Sequence, residues 1–193
     1  MDFFTADLHF DDPGVIPFAK RPFKNVEAMN AAILDAINAK VGEDDRLFVL
    51  GDFTIRFKRP KRFLDRIRCR EVWLIRGNHD PVGEPGDPGA EGGFARVLDY
   101  HEQWYDHQGY RQLVVLCHYP IFEWRGYFKG SWHLYGHVHG RFQDGPGLED
   151  EEGRRMHPRA LDVGIDAVGL APLSYDEVRA RISERTKRPA AQA

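Results

Sequence analysis

The sequence lacks any apolar run long enough to cross a bilayer, which takes about 20 consecutive residues. Its first residues are apolar, but Asp2 and Asp7 interrupt them and no basic residue precedes them, so they predict a first strand and not a secretion signal. Only two cysteines are present, Cys69 and Cys117, and they lack metal-type spacing. We therefore expect no membrane association, no disulfide, and a cytoplasmic location with reduced thiols.

An excess of basic charge is also missing. The formal net charge is -3, so the chain has no overall basic field to hold long nucleic acid. With 193 residues, of which 42% are hydrophobic and 30% charged, the chain fits one globular domain and not a disordered protein. We expect a single domain over residues 1–186 and a flexible tail over residues 187–193.

The first half of the chain alternates strand-like and helix-like stretches. Short apolar runs at residues 1–6, 46–50 and 71–75 predict strands, and residues 26–41 and 58–67 predict helices between them. This β-α-β-α-β order favours a parallel sheet. The second half is richer in strands, which we expect at residues 104–107, 112–117, 132–135 and 160–163, before a last helix opened by a capping box that begins at Ser174.

Clusters of metal-ligating residue types are what the sequence does contain. Each follows a predicted strand, and the carboxyl ends of parallel strands are where ligands bind in such sheets. Imidazole nitrogen combined with carboxylate oxygen suits Mn, Fe, Ni or Zn ions. The clusters are Asp7-Leu8-His9, Gly51-Asp52, Gly77-Asn78-His79-Asp80, His118 and Gly136-His137-Val138-His139-Gly140.

The spacing inside these clusters indicates a site for two cations. Asp7 and His9 alternate across one residue, as His137 and His139 do, and on an extended segment such residues point to the same side. A carboxylate such as Asp52 can bridge two ions, and two metals about 3.5–4 Å apart form a clamp for in-line attack at phosphorus. Each motif alone also fits a turn, a helix cap or a surface pair, so the prediction depends on their conjunction.

The set resembles the calcineurin-like metallophosphoesterase family, whose pattern runs Asp-x-His, Gly-Asp, Gly-Asn-His-Asp/Glu, His, Gly-His-x-His. The match extends from Asp7 to Gly140, most of the chain. The resemblance implies an α/β fold, a two-sheet β-sandwich flanked by helices in four α/β/β/α layers, with the metals at one edge. It also implies a phosphoester hydrolase like the small bacterial-type phosphoesterases, many of which act on phosphodiesters.

The resemblance further implies a role for each matching residue. Two divalent ions are expected, manganese first, with iron, nickel or zinc as alternatives. A metal-activated water would attack phosphorus, and His79 would protonate the leaving oxygen. Asp80 is the adjacent candidate for orienting the His79 ring. The ligands of the first ion would be Asp7, His9, Asp52 and His139, and those of the second would be Asp52, Asn78, His118 and His137.

The sequence departs from the serine/threonine protein phosphatases of this superfamily. Their Gly-Asp motif continues to a second Asp and an Arg, whereas Ile55 stands near the place of the second acid here. This difference argues against a protein phosphatase. Because the size and motifs instead resemble the small phosphoesterases, we expect a small phosphoester or nucleotide substrate. Candidate substrate contacts are Arg56, in a basic cluster at residues 56–62, and Trp124 and Tyr127, in an aromatic segment. The ordinary interpretation of the basic cluster is a solvated helix face, and that of the aromatic segment is core packing.

Two other functions fit parts of the pattern. A non-catalytic metal-binding scaffold would keep the fold but would be expected to lose ligands or His79, and this chain keeps them all. A nuclease acting on single strands or nucleic-acid ends would need only a local basic patch, which the cluster at residues 56–62 could supply.

Overall fold

The structure, a computed structural model, describes residues 1–55, 59–80, 93–107, 109–141 and 156–187. It contains two β-sheets and flanking helices. The strands, numbered in chain order, are β1 (Asp2–Thr5), β2 (Arg46–Val49), β3 (Glu71–Ile75), β4 (Arg96–Leu98), β5 (His101–His107), β6 (Tyr110–Leu116), β7 (Trp132–Tyr135), β8 (Ala160–Asp162) and β9 (Leu173–Ser174). The helices are α1 (Val15–Phe18), α2 (Val26–Lys40), α3 (Lys61–Leu64), α4 (Ile165–Val168) and α5 (Tyr175–Lys187).

Both sheets are mixed. The larger sheet has the order β4-β3-β2-β1-β9, and the smaller has the order β5-β6-β7-β8. Strands β1 to β4 are parallel to one another, and β9 is antiparallel to β1. In the smaller sheet β6, β7 and β8 are parallel, and β5 forms an antiparallel hairpin with β6. The strands that precede the polar clusters therefore run in the same direction within each sheet.

The two-residue period of the strands separates the hydrophobic core into layers. In β1, Phe3 packs with helix α2 on the outer face of the larger sheet, and its neighbour Phe4 packs between the two sheets. The space between the sheets is filled from both sides, by Phe48 and Trp73 of the larger sheet and Leu134 of the smaller. This apolar layer fixes the two sheets face to face, and so brings their strand ends together.

Sequence signals for two helix starts are present in the structure. Asn25 caps α2, since its side-chain oxygen accepts a hydrogen bond from the backbone N–H of Ala28 at 2.9 Å. Before α5, the Glu177 carboxylate accepts a bond from the Ser174 N–H at 2.7 Å, and the Ser174 hydroxyl accepts one from the Glu177 N–H at 3.3 Å. This is the reciprocal capping box that the sequence predicts.

The expected α/β architecture of two sheets with flanking helices is confirmed. Helix α3 is shorter than the predicted stretch at residues 58–67, and α1, β4 and β9 are short elements that the periodicity did not predict. Helix α5 continues through Lys187, and residues 188–193, which make up the rest of the expected tail, lie outside the described residues. In the part of the chain that the structure describes, no helix combines the length and the apolar character that a membrane crossing needs.

Candidate metal centre

The polar clusters meet at one end of the two sheets. Asp7 and His9 follow β1, Asp52 follows β2, and His118 and His137 follow strands β6 and β7 of the smaller sheet. The loops after β1 and β2 are joined by backbone hydrogen bonds, from Asp7 N–H to the Gly51 carbonyl at 3.1 Å and from His9 N–H to the Asp52 carbonyl at 2.9 Å. The sheets therefore bring together ligand-type side chains that are far apart in the sequence.

Their donor atoms form three overlapping groups within 4.8 Å: Asp7 with His9 and His139, His9 with Asp52 and His79, and Asp52 with His118 and His137. We call Asp7, His9 and His139 the first half of the centre, and Asn78, His118 and His137 the second half. Asp52 lies between them. Its Oδ2 is 3.5 Å from Nε2 of His9 in the first half and 3.5 Å from Nε2 of His118 in the second. One carboxylate oxygen is thus positioned to serve both halves.

The histidines of the first half are held by carboxylates. Nδ1 of His9 lies 3.0 Å from Oδ2 of Asp12, and Nδ1 of His139 lies 2.7 Å from Oδ2 of Asp166. A carboxylate can only accept, so Nδ1 of each ring carries the hydrogen and Nε2 is left as the nitrogen that can bind a cation. Neither Asp12 nor Asp166 belongs to a motif in the sequence, so their role becomes visible only in the fold.

A buried arginine connects Asp166 to the backbone of the first half. The guanidinium of Arg21, a residue 6% exposed, donates to both oxygens of Asp166 at 2.8 and 2.7 Å and to the carbonyls of Asp7 at 2.7 Å and Leu8 at 3.1 Å. Burial alone would raise the pKa of Asp166, but hydrogen bonds from His139 and Arg21 hold it below its ordinary value. Asp166 therefore stays ionised and keeps the His139 ring in place.

The second half is held by a backbone carbonyl. Nδ1 of His118 lies 2.8 Å from the Leu50 carbonyl, and burial lowers the pKa of His118 to about 4, so its ring is neutral near pH 7. Since the carbonyl only accepts, Nδ1 carries the hydrogen and Nε2 carries a lone pair. The Nε2 atom lies 3.0 Å from Oδ1 of Asn78 and 3.5 Å from Oδ2 of Asp52. Nδ1 of His137 lies 2.8 Å from the same Asn78 oxygen.

These residues fit bound cations, because the centre concentrates acceptors and negative charge. Burial, and then the neighbouring carboxylates of Asp162 and Asp52, raise the pKa of Asp7 well above its ordinary value. Nε2 of His9 is buried and has no hydrogen-bond partner among the described residues. Divalent ions would neutralise the carboxylates and satisfy both His9 and the His118 lone pair. Nitrogen and oxygen donors of this kind suit Mn, Fe, Ni or Zn.

The backbone at the centre is strained. A left-handed φ for a residue other than glycine costs about 1–3 kcal/mol, and such strain concentrates at functional sites. Positive φ values of 49–73° occur at five of the residues that form the centre: Asp7, His9, Asp52, His137 and His139. The expectation that Asp7 and His9 lie on an extended segment is therefore wrong. Their loop curls back, and His137 and His139 reach different halves of the centre.

Two glycines of the motifs are required by close contact. A Cβ on Gly51, which has φ 86°, would lie 2.1 Å from Nδ1 of His118. A Cβ on Gly77 would lie 2.3 Å from Oδ1 of Asp52. Both distances are far below van der Waals contact, so only glycine lets these loops approach the ligand side chains.

The family model for calcineurin-like phosphoesterases matches residues 3–141, which contain every side chain of both halves and Asp52. The chain belongs to the calcineurin-like phosphoesterase family. An uncharacterised protein of Methanocaldococcus jannaschii is 27% identical over 178 residues, which are 90% of this chain and 86% of that protein. A solved protein of unknown function from Aquifex aeolicus has 23% sequence identity and a TM-score of 0.65, covering 93% of this chain and 98% of its own, and shows the same fold.

In this calcineurin-like phosphoesterase, Asp80 does not orient the His79 ring through any described hydrogen bond, contrary to the sequence prediction. Its Oδ2 accepts from the backbone N–H groups of Asp52 and Gly77, both at 2.8 Å, and its Oδ1 accepts from that of Phe53 at 3.1 Å. Burial raises the pKa of Asp80 to about 6. The Asp80 carboxylate therefore stabilises the loop that carries Asp52. His79 itself lies at the centre, where its backbone N–H donates to Oδ1 of Asp52 at 2.9 Å.

The proposed aromatic contacts are placed elsewhere. Trp124 is 7% exposed and donates its indole N–H to Ser131 at 2.9 Å, so it is a core residue. Tyr127 lies beside it, and both line a cavity of about 780 Å³ that contains none of the ligand side chains. The structure therefore does not bring these two aromatic residues to the ligand side chains. Arg56 lies outside the described residues.

A second cavity, of about 450 Å³, opens on the metal centre. It is lined by residues of both halves, by Asp52 and His79, and by Phe18 and Arg141, which the sequence analysis did not single out. No motif in the sequence marks Phe18. Arg141 directly follows the Gly-His-x-His-Gly cluster, and this position is the one feature of the sequence that points to it as a site residue.

Proposed function

We propose that this protein is a metal-dependent phosphodiesterase that acts on a small substrate, a nucleotide ester being the best candidate. Membership in the calcineurin-like phosphoesterase family supports phosphoester hydrolysis. The observation that carries the binuclear part of the proposal is the shared position of Asp52 Oδ2, 3.5 Å from a ring nitrogen in each half. Such a position suits a carboxylate that bridges two cations.

In this proposal each half holds one ion, and Asp52 contributes to both. The bound ions, manganese first among the candidates, would lower the pKa of a coordinated water and offset the charge on the phosphoryl oxygens. The first-half ligands would be Asp7, His9, Asp52 and His139, and the second-half ligands would be Asp52, Asn78, His118 and His137.

His79 has the role of proton donor to the leaving oxygen. Its ring lies 5.1 Å from that of His9, and it lines the cavity that opens on the centre. The bond from its backbone N–H to Asp52 fixes its loop against the bridging carboxylate. Histidine is the side chain most often used for proton transfer of this kind.

A small substrate agrees with the size of the site. The cavity of about 450 Å³ lies in the range of small-molecule pockets. The net charge of -3 provides no general attraction for long nucleic acid. We also propose a cytoplasmic location, which the two free cysteines, Cys69 and Cys117, support.

The test is hydrolysis of bis-(p-nitrophenyl) phosphate by protein stripped with a chelator and then supplied with manganese, iron, nickel, zinc or calcium. We expect no turnover without metal, recovery with manganese, and faster hydrolysis of the diester than of p-nitrophenyl phosphate. Absence of turnover with every metal would contradict the enzyme proposal and favour a scaffold. A steep fall of activity on an oligonucleotide with rising salt would favour a nuclease.

A further inference from the structure

One wall of the cavity is built from an aromatic ring and a cation, not from ligand side chains. Phe18 is the last residue of helix α1 and is 60% exposed, with its ring edge-on to that of His139 at 5.3 Å. The guanidinium carbon of Arg141 lies 5.2 Å from the centre of the Phe18 ring. An exposed phenylalanine at the rim of a concave, polar site is a surface that a ligand can cover.

The turn after the metal histidines directs Arg141 to this wall. Gly140 has φ 75°, its N–H donates to Oδ2 of the buried Asp162 at 3.0 Å, and the Arg141 N–H donates to the Val138 carbonyl at 3.0 Å. The backbone of residue 141 is thereby fixed next to the second-half and first-half histidines. Stacking on Phe18 orients the plane of the guanidinium as well.

The charge of Arg141 is distinctive in its surroundings. It is the one permanently cationic side chain among the described residues that line this cavity. A guanidinium binds two phosphoryl oxygens at once in a fixed geometry, which an ammonium group does not. An anionic phosphodiester seated over the ligand side chains would find its complementary charge at Arg141.

We propose that Phe18 and Arg141 are the substrate-recognition pair, Arg141 binding a phosphoryl oxygen and Phe18 packing against a planar organic substituent of the phosphodiester. The preferred substrate class is then a nucleoside phosphodiester, whose base has a face to stack, and not a diester with two small alkyl groups. This inference rests on the proposed phosphodiesterase function.

The test compares two diesters with the same leaving group, thymidine 5'-(p-nitrophenyl phosphate) and methyl p-nitrophenyl phosphate, on the manganese-loaded protein. Phe18→Ala is expected to lower kcat/KM for the thymidine ester about tenfold, a typical loss for one stacked ring, with less than about a twofold change for the methyl ester. Arg141→Ala should lower kcat/KM for both esters about 10- to 100-fold, as the loss of a charged hydrogen bond does. Arg141→Lys should recover only part of it.

The matched control is Arg111→Ala, because Arg111 stacks in the same way on Trp104, 4.7 Å from its ring centre, in the other cavity. Arg111→Ala should leave kcat/KM for both esters unchanged. Calorimetric titration with thymidine monophosphate gives a readout without turnover, and its Kd should weaken in Phe18→Ala and Arg141→Ala while metal content stays at the wild-type value.

The two proposals fail in different ways. A wild-type protein without metal-dependent turnover would overturn the phosphodiesterase proposal. A wild-type protein that hydrolyses both esters, together with Phe18→Ala and Arg141→Ala variants that keep wild-type kcat/KM and Kd, would overturn the recognition pair alone. An equal loss on both esters in Phe18→Ala would overturn the assignment of Phe18 to a nucleoside substituent.

Discussion

The first and second halves of the metal centre contain similar side chains but hold them differently. In the first half, carboxylates contact the rings, Asp12 at His9 and Asp166 at His139. In the second half, a neutral backbone carbonyl, that of Leu50, contacts His118. A carboxylate behind a ligand histidine raises the basicity of the ring and neutralises part of the charge of a bound ion, more than a carbonyl does.

Exposure separates the halves mainly at Asn78, which is exposed. Asp7 and His9 of the first half and His118 of the second are buried, and His139 and His137 are both partly exposed. Asn78 also contributes a neutral oxygen where the first half has the carboxylate of Asp7. We therefore expect the first half to bind its ion more tightly and the second half to lose its ion first when a chelator is added.

The largest effect is expected at the residue that the two halves share. Asp52→Asn keeps the size of the side chain but removes the charge that both proposed ions would share, so both should be lost and turnover should fall by more than about 1,000-fold. Elemental analysis after gel filtration and the bis-(p-nitrophenyl) phosphate assay measure the two effects. A variant that retains two metals per chain would show that the halves are independent of Asp52.

A substitution at His79 should affect the chemical step without affecting metal binding. His79→Asn should lower turnover about 100- to 10,000-fold, the usual contribution of a general acid, while both halves keep their metals. The measurement is kcat on the diester together with metal content. Loss of one metal in this variant would make His79 a ligand, which its place near His9 and Asp52 would also permit.

A substitution at Asp166 tests directly whether the first half binds its ion more tightly than the second. Asp166→Asn removes the carboxylate behind His139 and one partner of Arg21, and should weaken the tighter manganese site about 10- to 100-fold, as mutation of such outer carboxylates does. Isothermal titration resolves the two sites. Asp176→Asn is the matched control, since Asp176 is an exposed carboxylate paired with Arg179 on helix α5. Equal weakening of both sites would contradict the comparison.

The smallest effect belongs to a region outside both halves. Ser131→Ala leaves the buried indole N–H of Trp124 without its acceptor and should lower the free energy of unfolding by about 1–3 kcal/mol. Manganese affinity and kcat/KM should not change, because the Trp124 cavity is separate from the metal centre. Urea unfolding measures the first, and an altered kcat/KM would link the two cavities.

The sequence predicts the ligand-type side chains better than the carboxylates that contact their histidine rings. Asp7, Asp52 and His118 come within three residues of the ends of regular strands, and local periodicity locates those strands. Asp12 contacts His9 from only three residues along the chain, whereas Asp166 contacts His139 from 27 residues away, and no motif marks either carboxylate. Which carboxylate faces a ring nitrogen depends on how the loops fold, which spacing alone does not encode.

Two interpretations of the sequence depend on side-chain direction, which a local pattern does not give. Asp80 is adjacent to His79 and Trp124 belongs to an aromatic segment, but the Asp80 carboxylate accepts from the backbone N–H groups of Asp52 and Gly77, and the Trp124 indole donates to Ser131. The left-handed backbone at His9, His137 and His139 breaks the two-residue alternation that the sequence argument assumed. Spacing along the chain therefore does not give side-chain direction at these positions.

The central claim is that two cations share Asp52, and anomalous diffraction from crystals grown with manganese tests it most directly. The account predicts two anomalous peaks about 3.5–4 Å apart, one on each side of the Asp52 carboxylate. A single peak, or two peaks that do not share that carboxylate, would contradict it.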